Sequence, residues 1–336
     1  MCIIKNNYSL KKHNTFGVDA HAKFYAKFSS NKELLSVLKK MNTDEVIILG
    51  GGSNILFTKS IYNVVLHNNI NGISIIKENK NHVWIEVGSG ENWHDFVLWS
   101  VKHNFSGIEN LALIPGSVGA SPIQNIGAYG MEVKDSIEKV CAIELESGKT
   151  KNFNNKQCKF KYRESIFKNE CKNKYVITKV IFKLSKKYLN ITSYGDVENE
   201  LKNLNLSLNP KNISDIIIKI RNKKLPNPKE LANCGSFFKN PTIELQDFKN
   251  LKIKYPKIIG YEIDEKKVKV AAGWLIDNLG LKGFQIGDVG VHKFQALVLV
   301  NYDQANGKEI LDFANIIKEK VKAAYNISLE NEVTIL

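Results

Sequence analysis

The segment NCGSFFKNP (233–241) contains Cys234, Gly235 and Ser236 in succession. Two of these small residues, Cys234 and Ser236, have side chains that could take part in chemistry. A reactive side chain beside a glycine indicates a place where a ligand can approach the backbone closely. Cys234 and Ser236 could supply a nucleophile or a proton donor, or the segment could be a turn before a hydrophobic strand. A serine nucleophile needs an adjacent base, and the nearest histidine downstream of Ser236 is His292. The spacing therefore argues against a serine nucleophile.

A glycine cluster follows the predicted strand in ILGGGSNILF (48–57), where Gly50, Gly51, Gly52, Ser53 and Asn54 are consecutive. Successive backbone N–H groups in such a cluster form a nest that suits a phosphate or pyrophosphate. The segment is neither a P-loop nor a G-x-G-x-x-G fingerprint. A tight turn that needs glycine explains it equally well.

A second glycine-rich segment, NLALIPGSVGASPIQNIGAYG (110–130), contains no charged residue. Loops are normally polar and exposed, so an uncharged glycine-rich segment indicates that the chain wraps a large, flat, partly apolar ligand. A buried connector between strands is the alternative.

The formal net charge of +14 raises the question of a nucleic-acid partner. The basic residues are interspersed with acidic ones, whereas single-strand binders interleave clustered bases with aromatic residues. Scattered charge is typical of a solvated surface, so no nucleic-acid partner is expected. Only Arg163 and Arg221 of the 48 basic residues are arginines, which makes both candidates for a planar, bidentate contact; chance retention is the alternative.

Hydrophobic periodicity predicts the elements that position these segments. Strands are predicted at 45–50, 64–66, 82–88, 175–184 and 296–301, with a hairpin at VCAIEL and TKNF and a strand-like end in SLENEVTIL. Helices are predicted after a Ser30–Glu33 capping box, from Trp93 to Val101, at 213–220, at 268–280 and at 308–325. Strands and helices mix without strict alternation, which favours an α+β fold, and a domain boundary is expected near residue 225.

The first residues, MCIIKNNYSLKKHN, lack the apolar core and cleavage site of a signal peptide, and no apolar run reaches membrane-spanning length. Five scattered cysteines without a C-x-x-C pair indicate neither a zinc site nor a disulfide framework. We therefore expect a cytoplasmic protein without a metal and without a membrane partner.

Both glycine-rich segments, in this order after HNTFGVDA (13–20), resemble those of the bacterial UDP-N-acetylenolpyruvylglucosamine reductases. Further matches follow in family order along nearly the whole chain. They are FKYRESIFK (160–168), SYGD (193–196), RNKKLPNPK (221–229), NCGSFFKNP (233–241), AAGWLID (271–277), GDVGVHKFQALVLVN (287–301) and LENEV (329–333). The SYGD match indicates the subclass with an extra tyrosine-bearing loop over the substrate.

The resemblance implies an FAD-binding fold of the vanillyl-alcohol oxidase type in residues 1–225, with two subdomains, and a smaller α+β substrate-binding domain in 226–326. Residues 327–336 are expected to form a C-terminal strand that returns to the active site. It implies an oxidoreductase of peptidoglycan synthesis, and so of cell wall biogenesis, cell shape and cell division. By the same resemblance, NADPH is expected to be the reductant, FAD is expected to be bound non-covalently, and UDP-N-acetylglucosamine-enolpyruvate is expected to become UDP-N-acetylmuramate. A monomer is expected.

The resemblance also implies the roles of the catalytic residues. Arg163 matches the family's catalytic arginine, Glu332 its C-terminal catalytic glutamate and Ser236 its proton donor. Cys234 stands where the family usually has alanine, and the Phe237-Phe238 pair is expected in the core rather than against the cofactor.

The positions that match the family's binding residues form two sets. Those expected near FAD are Gly50, Gly51, Gly52, Ser53, Asn54, Gly116, Ser117, Gly119, Ala120, Ser121, Asn125, Gly127, Tyr129 and Arg221. Those expected to hold the UDP portion of the substrate are Tyr194, Lys224, Asn240 and Gln295.

The chain departs from the family pattern at Asn331, where proline is usual, and at Thr334, where a basic residue is frequent. Neither departure removes a catalytic group. Two rival functions remain open: a related flavin oxidase, many of which tether FAD through histidine or cysteine, and a non-enzymatic basic binding module.

Overall fold

Residues 2–41, 45–188 and 195–336 are described by the computed structural model of the chain. Within these ranges the α-helices are α1 (Asn31–Leu38), α2 (Trp93–Lys102), α3 (Gly195–Asn203), α4 (Pro210–Lys224), α5 (Leu245–Lys254), α6 (Ala272–Asn278) and α7 (Gly307–Tyr325). None of the helices in these ranges is both long enough and apolar enough to span a bilayer.

The strands in the same ranges are β1 (Ile4–Ser9), β2 (His21–Phe28), β3 (Val46–Leu49), β4 (Ile55–Leu56), β5 (Ile61–Asn68), β6 (Ile73–Glu78), β7 (His82–Gly88), β8 (Gly127–Ala128), β9 (Met131–Glu132), β10 (Ile137–Glu144), β11 (Thr150–Asn154), β12 (Tyr175–Ser185), β13 (Ala232–Ser236), β14 (Thr242–Glu244), β15 (Gly260–Glu262), β16 (Lys267–Val270), β17 (Gln285–Ile286), β18 (Val289–Val291), β19 (Val298–Asn301) and β20 (Thr334–Ile335). Helices and strands are mixed, as the sequence predicts for an α+β fold.

The chain divides into two compact units. Unit 1 consists of residues 1–8, 22–51 and 62–223, and unit 2 of residues 9–21, 52–61 and 224–336.

Unit 1 is built on two sheets. One has the strand order β1-β2-β5-β3, and the other has the order β11-β10-β12-β7-β6. The hydrophobic face of α2 packs into the core that covers the second sheet, where Trp93 and Phe96 are fully buried. The N-terminus of α2 is closed by Asn92, whose Oδ1 accepts the backbone N–H of Asp95 at 3.1 Å. This cap fixes the end of the helix that lies next to the second glycine-rich segment.

Unit 2 contains a sheet of order β13-β19-β18-β17, a smaller sheet of order β14-β16-β15, and the parallel pair β20-β4. Helix α7 starts at a capping box formed by Asn306 and Glu309, and it buries Ile310, Phe313 and Ile317. The C-terminal strand pairs with a segment far away in the sequence, since Thr334 lies opposite Ile55.

Three predicted elements need correction. The helix expected over 268–280 is wrong in its first part, because Lys267–Val270 form β16 between two strands and the helix begins only at Ala272. The alternation of β-branched and polar residues in KVKV satisfies a strand as well as a helix start. The strand expected from 296 begins at Val298, and of the expected C-terminal strand only Thr334–Ile335 is regular.

Candidate flavin and substrate sites

The two glycine-rich segments approach each other closely in unit 1. A Cβ atom added to Gly51 would lie 2.9 Å from Gly116 Cα, and one added to Gly50 would lie 2.5 Å from Ser117 Oγ. Glycine at both positions thus allows the end of β3 to lie against residues 116–117. The segments form a tight backbone cradle, as close approach to a pyrophosphate requires.

Residues 116–119 are fixed by backbone hydrogen bonds to the segment that enters α2. Trp93 N donates to Gly116 O at 3.0 Å, Val118 N donates to Glu91 O at 2.9 Å, and Gly119 N donates to Ser89 O at 2.8 Å. A side chain at Gly119 would meet Ser89 Cβ at 2.6 Å. This pairing positions Ser117 and Gly119 without using any charged side chain.

The side chain of Asn125 makes hydrogen bonds to neighbouring segments of the protein. Its Nδ2 donates to Glu132 Oε2 and to Lys161 O, both at 3.0 Å, and its Oδ1 accepts the backbone N–H of Lys134 at 3.1 Å. The side chain is fully buried. Asn125 therefore holds together the segments that carry Gly127 and Arg163, and its role towards a cofactor stays a prediction.

Arg221 is the polar side chain of unit 1 whose surroundings indicate a bound ligand most clearly. Burial lowers the pKa of its guanidinium, while the hydrogen bond and charge of Tyr129 oppose that shift. Its Nε is buried and has no hydrogen-bond partner within the described residues. Buried donors are nearly always satisfied, so Arg221 suits an anionic or carbonyl-bearing group. The cradle and this donor together fit FAD.

Arg163 has the left-handed φ of 55°, which is uncommon outside glycine. Its Nη2 donates to Gly127 O at 2.8 Å, and its guanidinium lies 5.2 Å from the centre of the Tyr162 ring. Backbone strain of this kind clusters at functional sites. These contacts with Gly127 and Tyr162 thus fix the orientation of the Arg163 guanidinium.

Ser236 follows a distorted turn at the end of β13 in unit 2. Gly235 has a φ of 74°, and its N–H donates to Asn233 Oδ1 at 2.9 Å. The pairing of β13 with β19 shifts register between Asn233 and Ser236, which lies opposite Val298. Such irregularities re-aim a side chain next to many active sites, and here they leave Ser236 partly exposed.

The C-terminal segment lies beside Ser236 within unit 2. Glu332 N donates to Phe237 O at 2.8 Å, and the carbonyl of Glu332 accepts Asn54 Nδ2 at 3.2 Å. Burial raises the pKa of the Cys234 thiol well above 9.0, and the charge of Glu332 adds to this effect. The structure therefore brings Cys234, Ser236 and Glu332 together, and the thiol remains protonated. Phe237 and Phe238 are buried at 0% and 1% exposure, as expected of core residues.

The predicted substrate-grip residues of unit 2 lie partly together. Asn240 Oδ1 accepts the N–H of Ala272 at 3.0 Å, and a Cβ added to the next residue, Gly273, would lie 3.6 Å from Gln295 Oε1. Asn240 and Gln295 thus flank the start of α6. Lys224 is an exposed residue at the end of α4. Tyr194 lies outside the described residues.

Gly52, Ser53 and Asn54 belong to unit 2. A side chain at Gly52 would overlap His13 O, and the carbonyl of Gly52 accepts Thr15 N at 3.0 Å. Ser53 is partly buried. The roles of Gly52, Ser53, Asn54, Ala120 and Ser121 towards a cofactor stay predictions; the hydroxyl of Ser121 donates to Val118 O at 2.8 Å.

Sequence reasoning missed two residues that organise these sites. Asn233 orients the turn before Ser236, and an asparagine before Cys-Gly is a signal that could have identified it. His94 accepts the backbone N–H of Leu113 at 3.0 Å, and no local pattern indicates this contact. The described residues contain no group of three or more His, Cys, Asp or Glu side chains that could hold a metal ion.

Comparison with known proteins gives two family profiles that match the chain. The profile of the UDP-N-acetylenolpyruvoylglucosamine reductase C-terminal domain matches residues 227–336, and that of an FAD binding domain matches residues 22–154. The chain is 50% identical over 335 residues to the UDP-N-acetylenolpyruvoylglucosamine reductase of Flavobacterium johnsoniae, with 99% of each chain covered. It is 42% identical over 336 residues to that of Amoebophilus asiaticus, with 99% of each covered.

The fold is similar to the crystal structure of UDP-N-acetylenolpyruvylglucosamine reductase from Thermus caldophilus. The TM-score is 0.67 at 23% sequence identity, with 100% of this chain and 98% of that chain covered. The expected α+β fold with an FAD-binding domain is confirmed.

Proposed function

The chain belongs to the UDP-N-acetylenolpyruvoylglucosamine reductase family, and on that premise we propose how its residues divide the work of the reaction. The enzyme is an NADPH-dependent oxidoreductase that reduces the enolpyruvyl group of UDP-N-acetylglucosamine-enolpyruvate to give UDP-N-acetylmuramate, a precursor of peptidoglycan. The 50% identity to a reductase over 99% of both chains is the observation that carries this function.

The reaction makes three demands on the protein. When bound, FAD supplies the redox chemistry by carrying a hydride from NADPH to the outer alkene carbon of the substrate. Negative charge then develops at the carbon that bears the carboxylate and is delocalised into an enolate. The protein has to hold the carboxylate, stabilise the enolate and deliver a proton to that carbon.

Arg163 is assigned to the substrate carboxylate. A guanidinium binds a carboxylate through two parallel N–H donors, and the hydrogen bond from Nη2 to Gly127 O at 2.8 Å orients the group. The left-handed backbone at Arg163, with a φ of 55°, is consistent with a position under functional constraint.

Ser236 is assigned as the proton donor. An enolate carbon is basic enough to take a proton from a hydroxyl, although a serine is a weak acid. The register shift in β13 presents this hydroxyl at a partly exposed position. Glu332 is assigned to the enolate, and it has to carry or share a proton there because an ionised carboxylate would repel the developing charge.

The remaining residues are assigned to binding. Arg221 and Tyr129 serve FAD together with the glycines of both segments, and the buried Nε of Arg221 supports this role. The UDP portion of the substrate is assigned to Lys224, Asn240, Gln295 and Tyr194, since ammonium, amide and hydroxyl groups suit a diphosphate and its neighbouring oxygens. We propose residues 1–225 as the FAD-binding domain, to which Tyr194 and Lys224 add substrate contacts, 226–326 as the substrate-binding domain and 327–336 as a returning strand.

We further propose a cytoplasmic monomer. A monomer would have a mass of 38.0 kDa. Light scattering behind a sizing column tests the oligomeric state, and a mass of twice that value would contradict it.

One experiment tests the function as a whole. The purified protein should carry a flavin absorbance spectrum and oxidise NADPH only when the enolpyruvyl substrate is added. Denaturation should release the flavin, because the FAD is not tethered; flavin that stays with the denatured chain would favour a related oxidase. Failure to bind flavin at all would instead favour a non-enzymatic module.

A further inference from the structure

His94 lies at the start of α2, directly after Trp93, whose backbone N–H holds Gly116 O at 3.0 Å. It is half-buried. An ionisable group therefore lies next to the backbone hydrogen bonds that fix the second glycine-rich segment.

The hydrogen bond of His94 determines its protonation state. The backbone N–H of Leu113 donates to His94 Nδ1 at 3.0 Å. A backbone N–H has no lone pair and can only donate, so Nδ1 is unprotonated in this structure and the ring is neutral, with its proton on Nε2. If Nδ1 took up a proton, two donors would face each other and the contact would be lost.

Leu113 depends on this contact because its backbone is unusual. Its φ is 58°, a left-handed value that a leucine seldom adopts and that the surroundings must enforce. Only Ile114 and Pro115 separate it from Gly116, against which Gly51 lies. The acceptor on His94 therefore anchors the entry to the segment that forms the cradle.

Burial of the ring opposes its protonation. Burial lowers the pKa of His94 and is the largest effect; Asp95 of the same helix raises the pKa, and Arg221 of α4 lowers it by a smaller amount. The pKa of His94 is lower while its ring accepts the N–H of Leu113, the closed form, than after that contact opens. The ring therefore stays neutral in the closed form at any pH above this lowered pKa. As the pH falls, protons bind preferentially to the open form, and the closed form is lost.

We propose that His94 is a positioning residue for FAD: its neutral Nδ1 holds Leu113 so that residues 113–117 form the cofactor cradle, and protonation of Nδ1 opens the segment and weakens FAD binding. This inference rests on the proposed assignment of the glycine-rich segments to FAD.

The proposal predicts how much FAD affinity is lost with this contact and how steeply the affinity depends on pH. Leaving this partly buried N–H without its acceptor corresponds to about tenfold in affinity. Because one proton is involved, the FAD affinity falls by at most about tenfold per pH unit below the pKa of His94. Above that pKa the affinity does not change through this group.

The experiment compares three proteins in FAD titrations of apoprotein, followed by the quenching of flavin fluorescence from pH 8 to pH 5. They are the wild type, His94→Asn and His94→Leu. Asparagine places an Oδ1 acceptor close to the position of Nδ1 but takes up no proton, whereas leucine removes the acceptor. Circular dichroism at each pH restricts the comparison to folded protein.

The wild type should lose affinity as the pH falls, His94→Asn should match it within about threefold at pH 8 and stay level, and His94→Leu should be about tenfold or more weaker at every pH. Parallel pH profiles for the wild type and His94→Asn would overturn the inference while leaving the proposed function intact, as would unchanged affinity in His94→Leu. Apoprotein that binds no FAD at pH 8 would overturn both.

Discussion

Substituting the glycines at the end of β3 should weaken FAD binding to an extent that depends on what the new methyl group meets. At Gly51 it meets the backbone, since the added Cβ lies 2.9 Å from Gly116 Cα, about 0.5 Å inside the 3.4 Å at which ordinary contact begins. A backbone shift of residues 113–117 or of the segment that carries Gly51 is needed to relieve that overlap. Overpacking of this kind costs about 1–3 kcal/mol, so Gly51→Ala should bind FAD about 5- to 150-fold more weakly.

Gly50 provides the matched comparison, because its added Cβ meets only Ser117 Oγ, at 2.5 Å, and the next contact, Ser117 Cβ, is an ordinary 3.6 Å. The hydroxyl can rotate away or be removed. Gly50→Ala should therefore be milder than Gly51→Ala, and adding Ser117→Ala should relieve the strain of Gly50→Ala but not that of Gly51→Ala.

The assay is the FAD dissociation constant of each apoprotein, combined as double-mutant cycles so that any direct loss from Ser117→Ala cancels. Thermal unfolding of the apoproteins reports how far the strain also destabilises unit 1. Wild-type affinity in Gly51→Ala, or equal rescue of both glycine variants by Ser117→Ala, would refute the close approach of the two segments as the basis of the cradle.

Three further predictions concern other parts of the chain. Arg163→Lys should lower kcat about 10²–10³-fold, because an ammonium keeps the charge but not the bidentate geometry; steady-state kinetics within a few-fold of wild type would show that only the charge matters. Cys234 should resist alkylation at pH 7–8 in the native protein and react after denaturation, since burial raises its pKa well above 9.0 and suppresses the thiolate; mass spectrometry showing native labelling would contradict this. Asn306→Ala should lower the free energy of unfolding by about 1 kcal/mol in urea, because Asn306 Oδ1 accepts the N–H groups of Lys308 and Glu309, and an unchanged midpoint would count against the cap.

Local signals in the sequence were sufficient for the elements whose contacts are local. One half of the capping box expected at Ser30 is present, with Glu33 N donating to Ser30 Oγ at 3.2 Å, while the Glu33 carboxylate accepts the N–H of Ser29, one residue before the cap. The hairpin expected at VCAIEL and TKNF is formed by β10 and β11. In both places the partners are close in the sequence, 3 residues apart in the cap and 7 to 15 residues apart in the hairpin, so residue type and spacing carry the information.

Elements that depend on distant partners could not be predicted in this way. Whether KVKV becomes a strand is decided by β14 and β15 on either side of it, and the pairing of Thr334 with Ile55 joins segments at opposite ends of the chain. Periodicity within a short window contains nothing about such partners.

The candidate site also combines features that the sequence predicts with features that depend on packing between distant segments. Arg163, Ser236 and Glu332 were identified by family motifs, which record residue types and order. The left-handed backbone of Arg163, the register shift before Ser236 and the acceptor role of His94 are properties of three-dimensional packing. A motif predicts which residues react, but it contains nothing about the neighbours that orient them.

The role of Ser236 is the central claim, and stopped-flow absorbance tests it because the two half-reactions can be followed separately. Reduction of the flavin by NADPH requires no proton at the enolate carbon, so Ser236→Ala should reduce its flavin at nearly the wild-type rate. Reoxidation by the enolpyruvyl substrate requires that proton and should slow by about 10²–10⁴-fold, while Cys234→Ala should change neither step more than a few-fold. Equal slowing of both steps in Ser236→Ala would mean that the residue shapes the flavin pocket, and would contradict its assignment as the proton donor.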